Sequence, residues 1–122
     1  MTKNVFYVLG VVFVILGLLG FVNNPLLGLF EVNAVLNLIH LVTGILLLVY
    51  AGKPESNAKT LAVVLGVIYA LVTVLGFLMG GNVLGLFHVN GAHNVLHLVL
   101  AIVFLAVGLS GRSSSAPASP AM

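Results

Sequence analysis

Four long apolar segments without a single charged residue constrain this chain more than any other feature. They run from about Val5 to Val22, Asn33 to Tyr50, Thr60 to Met79 and Asn90 to Leu109. A helix needs about 20 apolar residues to cross the hydrocarbon core of a bilayer. Only helices satisfy all their backbone polar groups within one such segment. We therefore predict an all-α membrane protein with four transmembrane helices.

The composition supports the same class. Only 5% of the residues are charged and 61% are hydrophobic, whereas soluble domains carry about 25% charged residues. The chain has no cysteine, which excludes disulfides, thiolate catalysis and cysteine-based metal sites. The few charges form no basic patch, so we expect no nucleic-acid partner. The expected partners are the lipid bilayer and either other membrane proteins or a second copy in a homodimer.

The distribution of cationic residues predicts the orientation. With four spans, both termini and the loop around residues 51–59 lie on one side of the membrane, and all four cationic residues lie there: Lys3, Lys53, Lys59 and Arg112. By the positive-inside rule that side is the cytoplasm, which places the protein in the cell (inner) membrane. The first apolar segment is longer than the ~7–15 residues of a signal-peptide core, so we expect a retained helix.

The chain contains an internal duplication. Residues 26–45 and 83–102 align at an offset of 57, and eleven of these twenty positions are identical. Upstream, residues 7–22 align with 63–78 at an offset of 56. We predict two tandem two-helix repeats, 5–52 and 60–110, within a transmembrane domain spanning 1–110. Both repeats enter from the same face, so equivalent residues lie at equal depth in a four-helix bundle. Residues 111–122, rich in Ser, Ala and Pro, are expected to form a disordered cytoplasmic tail.

A polar stripe marks the start of the second and the fourth helix. At 100° per residue its members share one face of each helix, and they are Asn33, Asn37 and His40 in one helix and Asn90, His93, Asn94 and His97 in the other. Both stripes begin at an asparagine, a favoured N-cap. The last histidine of each lies about 10 Å beyond its cap. Polar side chains at that depth are expected to face the bundle interior.

The motif LGLF-x-V-N occurs at 27–33 and 84–90, and H-N-x-x-H-L follows at 93–98. This pattern resembles that of a family of small four-span bacterial membrane proteins known only as a domain of unknown function. The resemblance covers nearly the whole chain except the tail. It implies the fold and the membrane location, without an activity. It also implies histidine at both motif positions of each repeat, and the first repeat departs from this by having Leu36 before His40.

Three functions are compatible with the stripe. The one that we favour from the sequence is a structural or accessory role, in which the polar side chains hydrogen-bond across helices. The alternative is haem, pigment or metal binding by the equivalent pair His40 and His97, with His93 one turn away. Glu31 and His88, at equivalent loop positions, would contribute to the binding of such a ligand from outside the helices. The third is passage of protons or small solutes.

The sequence assigns no cofactor and no metal ligand. Because the fourth helix offers no carboxylate or cysteine to complete a set, the histidines alone do not identify an ion. No serine or cysteine stands beside a base and no phosphate-binding loop is visible, so we do not expect an enzyme. Glycines within the spans are expected to let helices pack closely, inside the chain or against a partner: Gly17, Gly20, Gly44, Gly66 and Gly76.

Overall fold

The computed structural model describes residues 2–24 and 26–110. Four helices dominate it: α1 (Thr2–Leu19), α2 (Ala34–Ala51), α3 (Glu55–Leu78) and α4 (Gly91–Leu109). Each is long and apolar enough to cross a membrane. The predicted all-α, four-span fold is therefore confirmed. The tail predicted over 111–122 lies outside the described residues.

The helix ends differ from the apolar windows by a few residues. α3 begins at Glu55 rather than near Thr60, directly after Pro54. Proline is well tolerated where a helix starts, and an acidic residue in the first turn interacts favourably with the helix dipole. Lys59, one turn on, lies 3.6 Å from Glu55 and donates a 2.5 Å hydrogen bond to the carbonyl of Ser110, just beyond α4. The extra turn is polar and lies at the end of the span, so a hydropathy window does not detect it.

Both LGLF segments fold into short hairpins that the all-α prediction did not include. In the second repeat β1 (Asn82–Val83) pairs with β2 (Phe87–His88), and in the first a single bridge joins Leu26 and Phe30. The central residues of both turns have positive φ: Leu27 and Gly28 at 57° and 73°, Leu84 and Gly85 at 55° and 74°. Two positive φ values in succession are typical of a type I′ hairpin turn. We call this side of the bundle the hairpin end.

Glycines bring the two helices of each repeat into close contact. A Cβ on Gly44 of α2 would lie 2.8 Å from the backbone nitrogen of Val14 and 2.9 Å from the carbonyl of Gly10. In the second repeat a Cβ on Gly108 of α4 would lie 2.8 Å from the nitrogen of Val63. The five glycines predicted to serve packing all approach neighbours within the chain. Glycine packing is therefore explained without a partner protein.

Reciprocal hydrogen bonds join the two repeats at the hairpin end. Asn33 caps α2 by accepting from the Leu36 amide, and its side-chain nitrogen donates to the carbonyl of Leu86 in the other repeat, at 3.1 Å. Asn90 caps α4 in the same way and donates to the carbonyl of Leu29, at 2.7 Å. Each cap thus fixes a helix start and the turn of the opposite hairpin.

The interior between the repeats is aromatic where equivalent residues meet. Phe13 and Tyr69, which correspond in the duplication, have ring centroids 6.0 Å apart, and Phe104 stacks on Phe13 at 6.4 Å. The outward faces of all four helices carry exposed apolar side chains such as Val8, Leu71 and Ile102. An apolar exterior around a packed interior is the arrangement of a membrane protein.

We predict that Gly44→Ala destabilises the bundle by about 1–3 kcal/mol, because the added methyl group meets backbone atoms that cannot rotate away. Gly91→Ala is the control, since a Cβ there meets nothing within 4 Å. Thermal unfolding in detergent, followed by circular dichroism, measures the difference. Equal melting temperatures for the two variants would contradict the close packing of α1 and α2.

Candidate metal-binding site

Three buried histidines meet between α2 and α4, near the hairpin end. His40, His93 and His97 are 3%, 1% and 1% exposed. The ring centroids of His93 and His97 are 4.4 Å apart, as expected from their spacing of one helical turn, and that of His40 lies 5.6 Å and 6.4 Å from them. The structure thus brings together the three histidines of the polar stripes, His40, His93 and His97.

The distances between the histidines suit a single metal ion. Each offers one ring nitrogen, and these three atoms lie within 4.8 Å of one another. Nitrogen ligands about 2.0–2.1 Å from a shared ion are separated by about 3.3–3.6 Å. The three nitrogens thus lie within about 1.5 Å of the separations that a shared ion requires.

His93 is held in an orientation suited to binding a metal. Asn90 caps the helix at the His93 amide, and the His93 ring nitrogen Nδ1 lies 2.8 Å from the carbonyl oxygen of Glu31. A carbonyl only accepts, so Nδ1 carries the hydrogen and Nε2 has its lone pair free. A backbone carbonyl on the second nitrogen is how metal-binding histidines are commonly oriented.

The free nitrogens of the cluster have no hydrogen-bond partner among the described residues. They are Nδ1 of His40, Nε2 of His93 and both ring nitrogens of His97, and all are buried. An unsatisfied buried polar atom costs about 1–3 kcal/mol. Four such atoms in one cluster point to a ligand that uses them.

Aromatic rings enclose the cluster. Phe13 lies edge-on to His40 at 5.7 Å, Tyr69 to His97 at 5.4 Å, and Phe30 to His93 at 5.5 Å. Sequence reasoning alone left these three residues outside the site. The duplication contained a signal, however, because Phe13 and Tyr69 align as the only aromatic pair in the middle of α1 and α3.

The remaining stripe residues occupy equivalent places in the two repeats. Asn37 packs against Gly20 and Asn94 against Gly76, so closely that a Cβ on either glycine would overlap the carboxamide. Both asparagines are buried, and their Oδ1 atoms have no partner within the described chain. At the helix starts Asn33 is exposed and Asn90 half-buried, as their cap positions require.

Glu31 and His88 do not add their side chains to the cluster. The Glu31 carboxylate and the His88 ring bind each other at the hairpin end, where both side chains are about half exposed, at 48% and 55%. Glu31 contributes through its backbone carbonyl instead. In the first repeat Leu36 takes the place equivalent to His93 and packs into an apolar cluster with Leu26 and Val83.

The buried histidines form one hydrogen bond between the repeats, which His93 Nδ1 donates to the carbonyl of Glu31. Within the described residues, other hydrogen bonds between the repeats come from the caps Asn33 and Asn90, from Glu31 with His88, and from the hydroxyls of Thr43 and Tyr69. The remaining buried nitrogens of the cluster, Nδ1 of His40, Nε2 of His93 and both of His97, have no partner there. Thr73, a buried polar residue of α3, donates to the carbonyl of Tyr69 in its own helix. A purely structural stripe would leave these four buried ring nitrogens without a partner.

Comparison with known proteins gives one result. A family model described as a domain of unknown function (DUF4383) matches residues 3–110. The chain belongs to this family. The expectation of a family known only as a domain of unknown function is thus confirmed. No curated protein and no solved structure matches the chain, so the site has to be interpreted from its own chemistry.

Proposed function

We propose that this membrane protein binds a transition-metal ion through His40, His93 and His97 and acts without catalysis, as an accessory or structural component of the membrane. The observation that carries the proposal is the convergence of three buried histidines with free ring nitrogens. Imidazole suits zinc, copper, iron and nickel. Tetrapyrroles fit less well, because His93, Phe13 and Tyr69 surround the space between His40 and His97 where a macrocycle would lie.

The charge of the site favours Cu⁺. Three neutral imidazoles bring no negative charge, and the described part of the chain has no carboxylate in the cluster. The ion therefore keeps its whole charge in an apolar interior. Because the cost of desolvation rises with the square of the charge, a singly charged ion costs about a quarter of a doubly charged one.

Metal binding is tested on detergent-purified protein loaded with Cu⁺ under reducing conditions or with Zn²⁺, and then analysed for bound metal after gel filtration. We expect one Cu⁺ per chain. Replacing His40, His93 or His97 by alanine should weaken binding by more than the about 10- to 100-fold seen when a supporting residue is lost. His88→Ala is the matched control, since His88 lies outside the cluster.

Glutamine at the same positions keeps the volume of the side chain and guards against loss of fold. A wild-type protein that binds neither ion would refute the proposal. So would a His88→Ala variant that loses as much metal as His97→Ala.

We further propose that the protein lies in the cell (inner) membrane with both termini in the cytoplasm and the hairpin end outside. The cationic residues support this orientation: Lys3, Lys53 and Lys59 lie at the opposite end from the hairpins. Its surroundings are lipid, and a homodimer or contact with other membrane proteins through the apolar exterior is compatible with this placement.

The absence of cysteine makes the orientation directly measurable. A membrane-impermeant maleimide added to intact cells should label Leu86→Cys in the second hairpin and leave Asn57→Cys, near the start of α3, unlabelled. After the cells are opened, both variants should react. Labelling of Asn57→Cys alone in intact cells would show that the orientation is the opposite of the one proposed.

A further inference from the structure

A groove opens sideways from the bundle between α2 and α3. Its volume is about 470 Å³. The walls are apolar side chains that face the lipid, among them Val35, Ile39, Val42, Leu46, Ile68 and Val72. The groove is thus accessible from the hydrocarbon core and suits a molecule dissolved in the bilayer.

Polar groups lie at the floor of this apolar groove. Thr43, Tyr69 and His97 line it and are 5%, 3% and 1% exposed. The hydroxyls of Thr43 and Tyr69 are 3.4 Å apart and share one hydrogen bond, in which either can donate. One hydroxyl hydrogen is left over, and both ring nitrogens of His97 have no partner in the described chain. The floor therefore offers hydrogen-bond donors to whatever enters the groove.

The duplication shows that these hydroxyls are not required by the packing of the bundle. At the equivalent interface between α4 and α1, Leu100 stands in the place of Thr43 and Phe13 in the place of Tyr69. Both apolar residues are buried there, so this position can be filled without a polar atom. The interface between α1 and α4 has an apolar groove of its own, of about 320 Å³, but no hydroxyl among the described residues lines it.

We propose that the groove binds a lipid-soluble molecule with a carbonyl head group, of the quinone class. Its apolar body would lie along the walls, and its carbonyl oxygens would accept hydrogen bonds from the hydroxyls and from a ring N–H of His97. A plain acyl chain would leave the spare hydroxyl hydrogen and the His97 N–H without an acceptor, which costs free energy. A carbonyl oxygen would accept from them and remove that cost. The inference does not need the metal, because a neutral imidazole always carries one N–H. If His97 also binds an ion through its other nitrogen, the N–H still requires an acceptor.

Binding of decylubiquinone is measured by equilibrium dialysis with the protein in phosphatidylcholine nanodiscs. Empty nanodiscs of the same lipid serve as the blank. We expect saturable binding of one molecule per chain. Thr43→Val and Tyr69→Phe should each weaken it about five- to tenfold, the effect of losing one buried hydrogen bond. Thr73→Val and Tyr50→Phe make the same chemical changes away from the floor and should leave the affinity unchanged.

A second pair of variants tests whether the quinone binds in the groove by placing a larger side chain there. Val42→Phe fills the groove and should abolish binding, whereas Val99→Phe, at the equivalent position on α4, should not. His93 does not line the groove, so His93→Ala should lose the metal and keep the quinone, which separates this inference from the proposed function. Binding no greater than to empty nanodiscs would overturn the proposal, as would equal effects of Val42→Phe and Val99→Phe.

Discussion

Buried ring nitrogens without partners are the constraint on which the interior of this protein depends. In a bilayer neither lipid nor bulk water can satisfy them, so each must find a partner inside the bundle or in a ligand. His93 meets this requirement at one nitrogen through the carbonyl of Glu31, and the other free nitrogens converge. The caps, the hairpins and the aromatic rings hold the three imidazoles in that arrangement.

Duplication supplies a symmetric frame, and a few departures from symmetry give its two interfaces different chemistry. The caps Asn33 and Asn90 and the pair His40 and His97 occupy equivalent positions in the two repeats. Leu36 and His93 also occupy equivalent positions, but only the second repeat has a histidine there, and this third histidine joins the pair. In the duplication Thr43 corresponds to Leu100 and Tyr69 to Phe13. Hydroxyls from this pair of positions therefore lie at the interface between α2 and α3 and not at the one between α4 and α1. Two similar two-helix repeats thus yield a cluster of three histidines and an adjoining groove that share His97.

The sequence predicted those features of the fold that depend on a single segment of the chain. Uncharged apolar runs determine four spanning helices, and an asparagine before each stripe determines the caps of α2 and α4. It did not predict the hairpins, because positive φ at Leu27 and Leu84 is uncommon for a residue with a branched side chain. The spacing of His93 and His97 allowed His93 as a third ligand beside His40, but the sequence did not establish that the three rings meet, nor did it predict that a groove opens at Thr43. Both depend on how separate helices cross, which residue spacing within one helix does not encode.

X-ray absorption spectroscopy at the metal edge of the loaded protein tests most directly the claim that three histidines share one ion. We predict three nitrogen neighbours at about 2.0 Å, with the outer-shell scattering of imidazole rings, and two such neighbours in the His93→Gln variant. A spectrum dominated by oxygen neighbours, or one unchanged in His93→Gln, would contradict the account.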